Sequence, residues 1–239
     1  VVPGGTAWAA ADRDAIPVPA LVLNDPQCRL APGDAVRYFR DPTHQATLEA
    51  VRAQPPAAWS AFTSGRPISL GFTEDICWLR LRLKSAFAEG AVVVVELDNP
   101  RLEKVDWFAW RGGGAIERDA NGNQRPSAGP LPRPRVPGFR LRLAPGEEIE
   151  VLARIETRSS VLVPVRVYGS PEAAANDAAK SDWLALAEVG TFGSLSVLSA
   201  VMGLILRNRL QAINALLSLL LCAYFLLIGG FWARLGASL

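Results

Sequence analysis

The chain has 239 residues, half of them apolar, and its 25 basic and 23 acidic side chains leave a formal charge of only +2. That balance excludes a general nucleic-acid binder, whose affinity would come from a clustered basic surface. The length suggests one or two domains, and the composition is uneven: nearly all of the Pro and charge precede residue 182.

The chain begins at Val1, and residues 1–15 read in two ways. Small residues at Ala7 and Ala9 give the A-x-A-like arrangement of a secretory-signal remnant; the other reading is a disordered terminus.

From residue 16 to 170 the signals are short strands. "AVRYF", "CWLRLRL", "AVVVVELD", "KVDWFAW", "FRLRLA", "EEIEVLARIE" and "VLVPVRVYG" carry β-branched, leucine or aromatic runs, separated by the turns "APGD", "DNPR", "RGGG", "NGN" and "APGE". One insertion, "THQATLEAVRAQ", reads as a short helix. The expected fold class is mainly β, an antiparallel β-sandwich, and this span is ample for its core.

The most informative strand is "CWLRLRLKS", Cys77 to Ser85. Successive side chains of a strand point to opposite faces, so Leu79, Leu81 and Leu83 face the core, while Trp78, Arg80 and Arg82 face outward or into a groove. The pattern recurs with Phe139, Leu141 and Leu143 against Arg140 and Arg142, and loosely with Arg154 and Arg158. If these strands are neighbours, one sheet face carries guanidinium groups and an indole. Such a face is either ordinary solvated cover, with Arg stems lying over apolar surface, or a ligand face offering planar donors and an aromatic platform to a polar or anionic molecule. "PSAGPLPRPRVPGF", which contains Arg135, is an extended loop because each Pro fixes φ and removes a donor. It crosses one end of the sandwich or edges a binding site.

Cys77 shares the parity of Leu79 and so points inward. Either it pairs with Cys28 in a disulfide, as an oxidising compartment permits, or both are buried free thiols behaving as small hydrophobes. Cys222 falls in an apolar run. No enzyme constellation is present: there is no G-x-S-x-G, phosphate loop or C-x-x-C. The single His, His44, reads as a surface residue without the companions a metal site needs. No cofactor, no metal and no catalytic activity are expected.

After a linker at 171–182, Trp183 to Leu206 gives 24 residues with one charge, Glu188, and Leu210 to Trp232 gives 23 with none. Each is long enough to cross a hydrocarbon core of about 20 apolar residues. The intervening loop at 207–209, "RNR", favours the cytoplasm by the positive-inside rule. Residues 16–170 and the tail at 233–239 then lie outside, with Trp183 and Trp232 marking the outer interface; Arg234 weighs against this. Gly193, Ser196, Ala200 and Gly203 form a small-residue row for close helix packing, against the second helix or further helices. Glu188, about one turn inside, either snorkels to the surface or has a buried coupling role.

Taken in order, "ISLGFTEDICWLRLRLKS", "VVVELDNPRLEKVDWF", a Gly-rich turn and "RPRVPGFRLRLAPGEEIEVLARIETRSSVLVPVRVYG" resemble the type-2 extracellular domain of bacterial seven-transmembrane receptors with diverse intracellular signalling modules. The landmarks are Gly71, Phe72, Trp78, Arg80, Asn99, Pro100, Arg135, Arg154 and Ser159. The resemblance covers residues 16–170, and the hairpin fits the start of that family's membrane bundle. It implies a jelly-roll-like periplasmic domain at the bacterial inner membrane that senses a carbohydrate or related ligand. It also implies a relay through further membrane helices to a cytoplasmic kinase, cyclase or phosphatase module. The sequence holds two apolar runs and no cytoplasmic module, so either it is a fragment of a longer receptor or the output lies elsewhere. The leading expectation is thus a receptor's sensing half, its partners being membrane lipid, a glycan or small polar ligand, those helices and that module, or a second copy as a homodimer. The alternative is a membrane-anchored carbohydrate-binding subunit of a polysaccharide or glycosyltransferase assembly.

Overall fold

A computed structural model of the chain describes residues 18–61, 68–111, 114, 116–125 and 135–228. The expectations for residues 1–15, for the Pro-rich loop before Arg135, and for Trp232 and the tail lie outside the described residues.

In chain order the strands are β1 (Ala20–Leu23), β2 (Arg29–Leu30), β3 (Arg37–Asp41), β4 (Ser60–Ala61), β5 (Ile68–Phe72), β6 (Ile76–Ser85), β7 (Ala91–Leu97), β8 (Lys104–Trp110), β9 (Ile116–Asn121), β10 (Gly138–Leu143), β11 (Glu148–Glu156), β12 (Ser160–Val163) and β13 (Val165–Tyr168). The helices are α1 (Leu48–Arg52), α2 (Pro171–Leu206) and α3 (Arg209–Ile228). The larger sheet runs β4-β3-β6-β11-β8-β9 and the smaller one β10-β7-β13-β2; β12 and β5 form a separate pair. All neighbours are antiparallel except β1, which lies parallel to the second half of β6 while β3 pairs with its first half.

The fold is the antiparallel, jelly-roll-like sandwich expected. Its core is filled by one parity of each strand: Leu79, Leu81 and Leu83 of β6, Val151 and Ala153 of β11, Val93 and Val95 of β7, Leu141 and Leu143 of β10. Trp107 stacks on Phe139 across the two layers at 5.8 Å between ring centroids. Its indole N–H donates to Asn121 Oδ1 at 3.0 Å, and the Asn121 amide donates on to the Gly138 carbonyl at 2.7 Å. The one polar atom of this core tryptophan is therefore satisfied, as a buried donor must be. "VLVPVRVYG", read as one strand, is two. Pro164 has no N–H for a ladder, so β12 pairs with β5 whereas β13 enters the smaller sheet.

The other parity of the larger sheet is covered over the first half of β6 and the neighbouring parts of β11 and β8. The insertion after β3 folds back over it: Leu48, Val51 and Trp59 pack on Ile76, Trp78, Trp110 and Leu152 in a second apolar cluster. Asp41 starts this fold-back. It accepts from the Thr43 N–H at 3.0 Å, the Thr43 hydroxyl at 2.6 Å and the Ala46 N–H at 2.9 Å. Burial alone would raise its pKa, but these hydrogen bonds hold it below the usual carboxylate value. Thr47 then caps α1 by accepting from the Ala50 N–H. Two expectations are corrected here. Trp78 is 1% exposed and is not a platform. Cys28 and Cys77 are free thiols; Cys77 opens β6 in the larger sheet, whereas Cys28 precedes β2 of the smaller one. Cys77 does point into the core, and burial pushes its thiol up to about 12.

The stretch expected as a linker, 171–182, is the start of α2, a single helix of 36 residues capped by Ser170. At 1.5 Å per residue that is about 54 Å, well beyond the roughly 30 Å of a hydrocarbon core. The first turns therefore stand outside the membrane, against the sandwich. Arg207 takes a left-handed conformation and its N–H, like that of Asn208, bonds back to the Gly203 carbonyl. Asn208 Oδ1 then accepts from the Leu210 N–H at the start of α3. The two helices pack along Phe192, Ser196, Ser199 and Gly203. Ser196 donates to the Ala215 carbonyl at 2.8 Å, Asn214 donates to Ser199 Oγ at 2.9 Å, and Phe192 stacks on Phe225 at 5.3 Å. A Cβ on Gly203 would lie 3.3 Å from the Ala212 nitrogen, so glycine permits this approach. The line of contact is rotated by about 50° from the predicted row, at 100° per residue. Ser196 and Gly203 belong to it, but Ala200 is exposed and nothing comes within 4 Å of a Cβ on Gly193.

Candidate functional site

The structure divides the predicted ligand residues into three places. Trp78, Arg80, Arg82 and Arg154 share the outer face of the larger sheet, since Arg154 sits opposite Trp78 in the β11–β6 register. Arg140 is on β10 in the other sheet and projects from the opposite side of the sandwich. Arg135 lies at the junction with α2.

On the first face the guanidinium groups are engaged. Arg80 pairs with Glu150 and lies over the Trp59 ring at 5.4 Å. Arg82 pairs with Glu148 at 2.5 Å. Arg154 is shared between Asp106 at 3.3 Å and Glu156 at 3.1 Å. Alternating acids of β11 thus neutralise the bases of β6. Nearest to solvent, further along the face, Arg118 lies 5.8 Å over the half-buried Phe108, and Arg52, paired with Glu150 at 3.5 Å, lies 4.4 Å over the buried Trp110.

The junction carries a denser polar arrangement. Ala173 and Ala174 of α2 pack on Val94 and Tyr168 of the smaller sheet. Beside them Asp177 of α2 accepts from the Tyr168 hydroxyl at 2.8 Å and from Arg166 at 3.0 Å, and pairs with Arg29 at 3.2 Å. Arg166 reaches Asp98 with its other nitrogen at 2.5 Å. Burial, then the bond to Asp177, pushes the Tyr168 hydroxyl up to about 12, so it donates at all ordinary pH. Glu96 stands between Arg166 on β13 and Gly138 on β10. Burial, reinforced by Asp98, pushes its carboxyl up to about 7. One turn further along α2, Arg135 donates to Ser181 at 2.6 Å and pairs with Asp182 at 3.3 Å. Below this lies a cleft of about 350 Å³ between the β7–β8 turn and the two membrane-spanning helices.

Sequence reasoning placed Asn99, Pro100 and Arg135 among the landmarks but missed their shared place. All three line the cleft, and Asn99, itself buried, donates to the Leu162 carbonyl at 2.8 Å to hold the turn. It also missed Asp177, which was assigned to a linker. Among the described residues no cluster of His, Cys, Asp or Glu is placed to hold a metal ion.

The sequence of the sandwich decides its relationship: the family described as 7TMR-DISM extracellular 2 matches residues 33–169. The chain belongs to this family. The 7TMR-DISM match covers everything from the turn before β3 to the end of β13; β1 and β2 precede it. With α2 and α3 both long and apolar enough to span a bilayer, this 7TMR-DISM chain is a membrane protein with an outside domain. No curated protein matches it. Among solved structures, a tryptic core variant of Bacillus thuringiensis Cry1Da is similar at 8% identity, over 39% of this chain and only 18% of that one, with a TM-score of 0.25. TmCBM61, solved in complex with beta-1,4-galactotriose, is similar at 13% identity over 56% of this chain and 82% of its own, with a TM-score of 0.28.

Proposed function

We propose that the chain is the sensing half of a membrane receptor, in which the ligand state of the outer sandwich changes how α2 docks on the smaller sheet and so sets the packing of the membrane helices. One observation carries the reading: α2 is a single helix that starts on the sandwich, is pinned there through Asp177, and continues unbroken into its contact with α3. A rigid element held by a few polar contacts can have two positions, and a ligand that binds one of them better shifts their populations. The ligand class is a carbohydrate or related polar molecule, and its site on the larger sheet is the exposed Arg52 and Arg118 with the half-buried Phe108 between sheet and solvent, offering planar donors beside an aromatic ring. The output passes to further membrane helices and a cytoplasmic signalling module.

The test uses the full chain in nanodiscs, screened against neutral and acidic oligosaccharides. A ligand that raises the melting temperature should also shift the spin-label distance between Ala175 of α2 and Arg142 of β10, both exposed positions. Binding that leaves this distance unchanged rejects the relay, and binding that survives Arg118→Ala moves the site elsewhere.

A further inference from the structure

Among the described residues outside α2 and α3, the large apolar side chains left exposed are Val22, at 50%, and Phe72, at 85%. Alternation along β5 would put Phe72 on the same side as Leu70, and Leu70 packs on the sandwich core. Phe72 does not follow it. The β12–β5 register shifts so that Leu70 is an extra residue between Ser69 and Gly71, and Gly71 takes a φ of +69°. A bulge with glycine in this conformation re-aims the side chain that follows. The strand thus turns a ring outward that its own parity would have buried.

Phe72 is turned out at the end of the sandwich nearest the membrane. The direction follows from α2. Going down the helix from Ser170, Ala173 and Ala174 meet Val94 and Tyr168, Asp177 meets Arg166, and Ala185 and Glu188 border the cleft together with Asp98 and Leu162. β7 therefore descends from Val94 to Asp98, and the chain read backwards from Tyr168 descends to Leu162. Ser160, the partner of Phe72, is two residues beyond Leu162. In the other direction Phe72 leads through 73–75 into β6, where Cys77 pairs with Ile155 and Ile155 with Val105, just after the β7–β8 turn that lines the cleft. Both neighbours of Phe72 thus lie at the membrane end. Val22 pairs with Lys84, near the opposite end of β6. Trp183, 75% exposed, stands at the start of the apolar stretch, the position an indole takes at the membrane interface. Ala185 is about 3 Å deeper along the helix and Glu188 about 7.5 Å, so Leu162 borders the interfacial zone, which is roughly 5–7 Å thick on each side.

We propose that Phe72 is a membrane foot of the outer domain, its ring inserted into the phospholipid leaflet on the sandwich's side of the bilayer. The ring stays exposed with both helices in place, so neither of them is its cover. A single phenylalanine offers about 150–250 Å², against the roughly 800 Å² per partner of a specific protein interface, but one aromatic ring is enough to settle at a membrane interface. The charges around this end are balanced: Arg101, Arg158 and Glu74 are exposed and Glu103 is half-buried. The contact is therefore carried by the ring and needs no anionic lipid. With α2 docked on the smaller sheet and Phe72 in the leaflet, the sandwich stands on two points and cannot tilt about the helix without withdrawing the ring. The foot does not depend on whether the outer domain senses a glycan.

The experiment is photocrosslinking of the full chain with p-benzoylphenylalanine in place of Phe72 or, separately, of Val22, in nanodiscs of phosphatidylcholine alone and of phosphatidylcholine with added phosphatidylglycerol. Both positions are exposed, so the larger ring disturbs no packing. Intact-mass analysis reads the products. The expected result is a phospholipid adduct at position 72 with a yield about tenfold or more above that at position 22, in both lipid compositions. Equal yields at the two positions overturn the proposal. A cross-link from position 72 to a second copy of the chain would assign the ring to a contact between copies and overturn it too. An adduct that forms only when phosphatidylglycerol is present would show that charge brings this end to the membrane, against a contact carried by the ring.

Discussion

The outer faces of the two sheets are each covered in part, but by different chemistry. The larger sheet is closed by the insertion after β3, through Leu48, Val51, Trp59 and the buried side of Trp78. The smaller sheet is covered at β7 and β13 by α2, through two alanines and a set of ion pairs centred on Asp177. An apolar closure is held by close packing that tolerates no partial state. A closure by a few charged hydrogen bonds can be loosened one bond at a time. The first cover is therefore expected to behave as part of the permanent core, and the second, on the proposed relay, as the part that shifts while the sandwich stays folded.

The sharpest break of this comparison is at Trp78. Trp78→Ala removes the centre of the second cluster, stacked on Phe108 at 6.1 Å, and should destabilise the outer domain by about 3–5 kcal/mol. Thermal melting of the full chain in detergent measures it. A small loss would mean that the insertion is a removable lid. Asp177→Asn is the matching change on the other sheet. It takes the anionic acceptor from Tyr168, Arg166 and Arg29, and should weaken α2 docking by about 2–3 kcal/mol. The effect should be local: amide exchange should rise across 171–182 and leave β6 and β11 protected. Faster exchange in β6 as well would show that both covers are one cooperative unit.

A third effect separates the faces by pH. Glu96 is held near 7 against an ordinary value of 4.5, first by burial and then by Asp98, with Arg166 and Arg140 opposing and Asp177 adding to the rise. A carboxyl whose pKa is raised on folding contributes stability that is complete below pH 4.5 and lost as the pH climbs through 7. Between those limits stability should fall by about 1–2 kcal/mol, after allowance for the part of the side chain in contact with water. Glu96→Gln should flatten that slope and be the more stable form at pH 8. Denaturant titrations of both forms at pH 4.5 and pH 8 measure it; an unchanged slope would place the pH dependence outside this face.

The inner layer was legible because alternation is a local signal: Leu79, Leu81 and Leu83 point where their parity puts them. The membrane hairpin was legible for the same reason, since length and absence of charge belong to the segment itself. What covers the other face is not local. Nothing in "CWLRLRLKS" tells that residues 42–59 return over Trp78. The available sign was in "KVDWFAW", where Trp107 and the pair Phe108 and Trp110 put aromatic side chains on both parities, as in a strand buried on both faces. Likewise the partners of Arg166 and Arg135 are 11 and 46 residues away in sequence, and only the docking of α2 brings them together. The helix contact was misplaced because small residues alone were read. Asn214, a polar group in an apolar helix that requires a partner, points to Ser199 instead.

The smallest effect tests whether the remaining arginines of the larger face carry anything. Arg82 and its partner Glu148 are 39% and 36% exposed. A pair this open to water is screened and contributes at most about 0.5 kcal/mol, so Arg82→Ala should barely move the melting temperature. Arg80 is the internal control on the same strand, because its pairing with Glu150 lies over the Trp59 ring at the edge of the second cluster. Arg80→Ala leaves Glu150 half-buried and removes a stem that seals Trp59, so its loss should exceed that of Arg82→Ala by about 1 kcal/mol or more. Measured side by side, the two variants locate the boundary between closed and solvated parts of one sheet face. Equal and small losses would mean that the apolar cover ends at Trp78; equal and large losses would extend it to the end of β6. In either case oligosaccharide binding should be unchanged in Arg82→Ala, because the ligand group proposed for this face is Arg52, Phe108 and Arg118. Loss of binding in Arg82→Ala with the melting temperature preserved would return the ligand to the alternating strand.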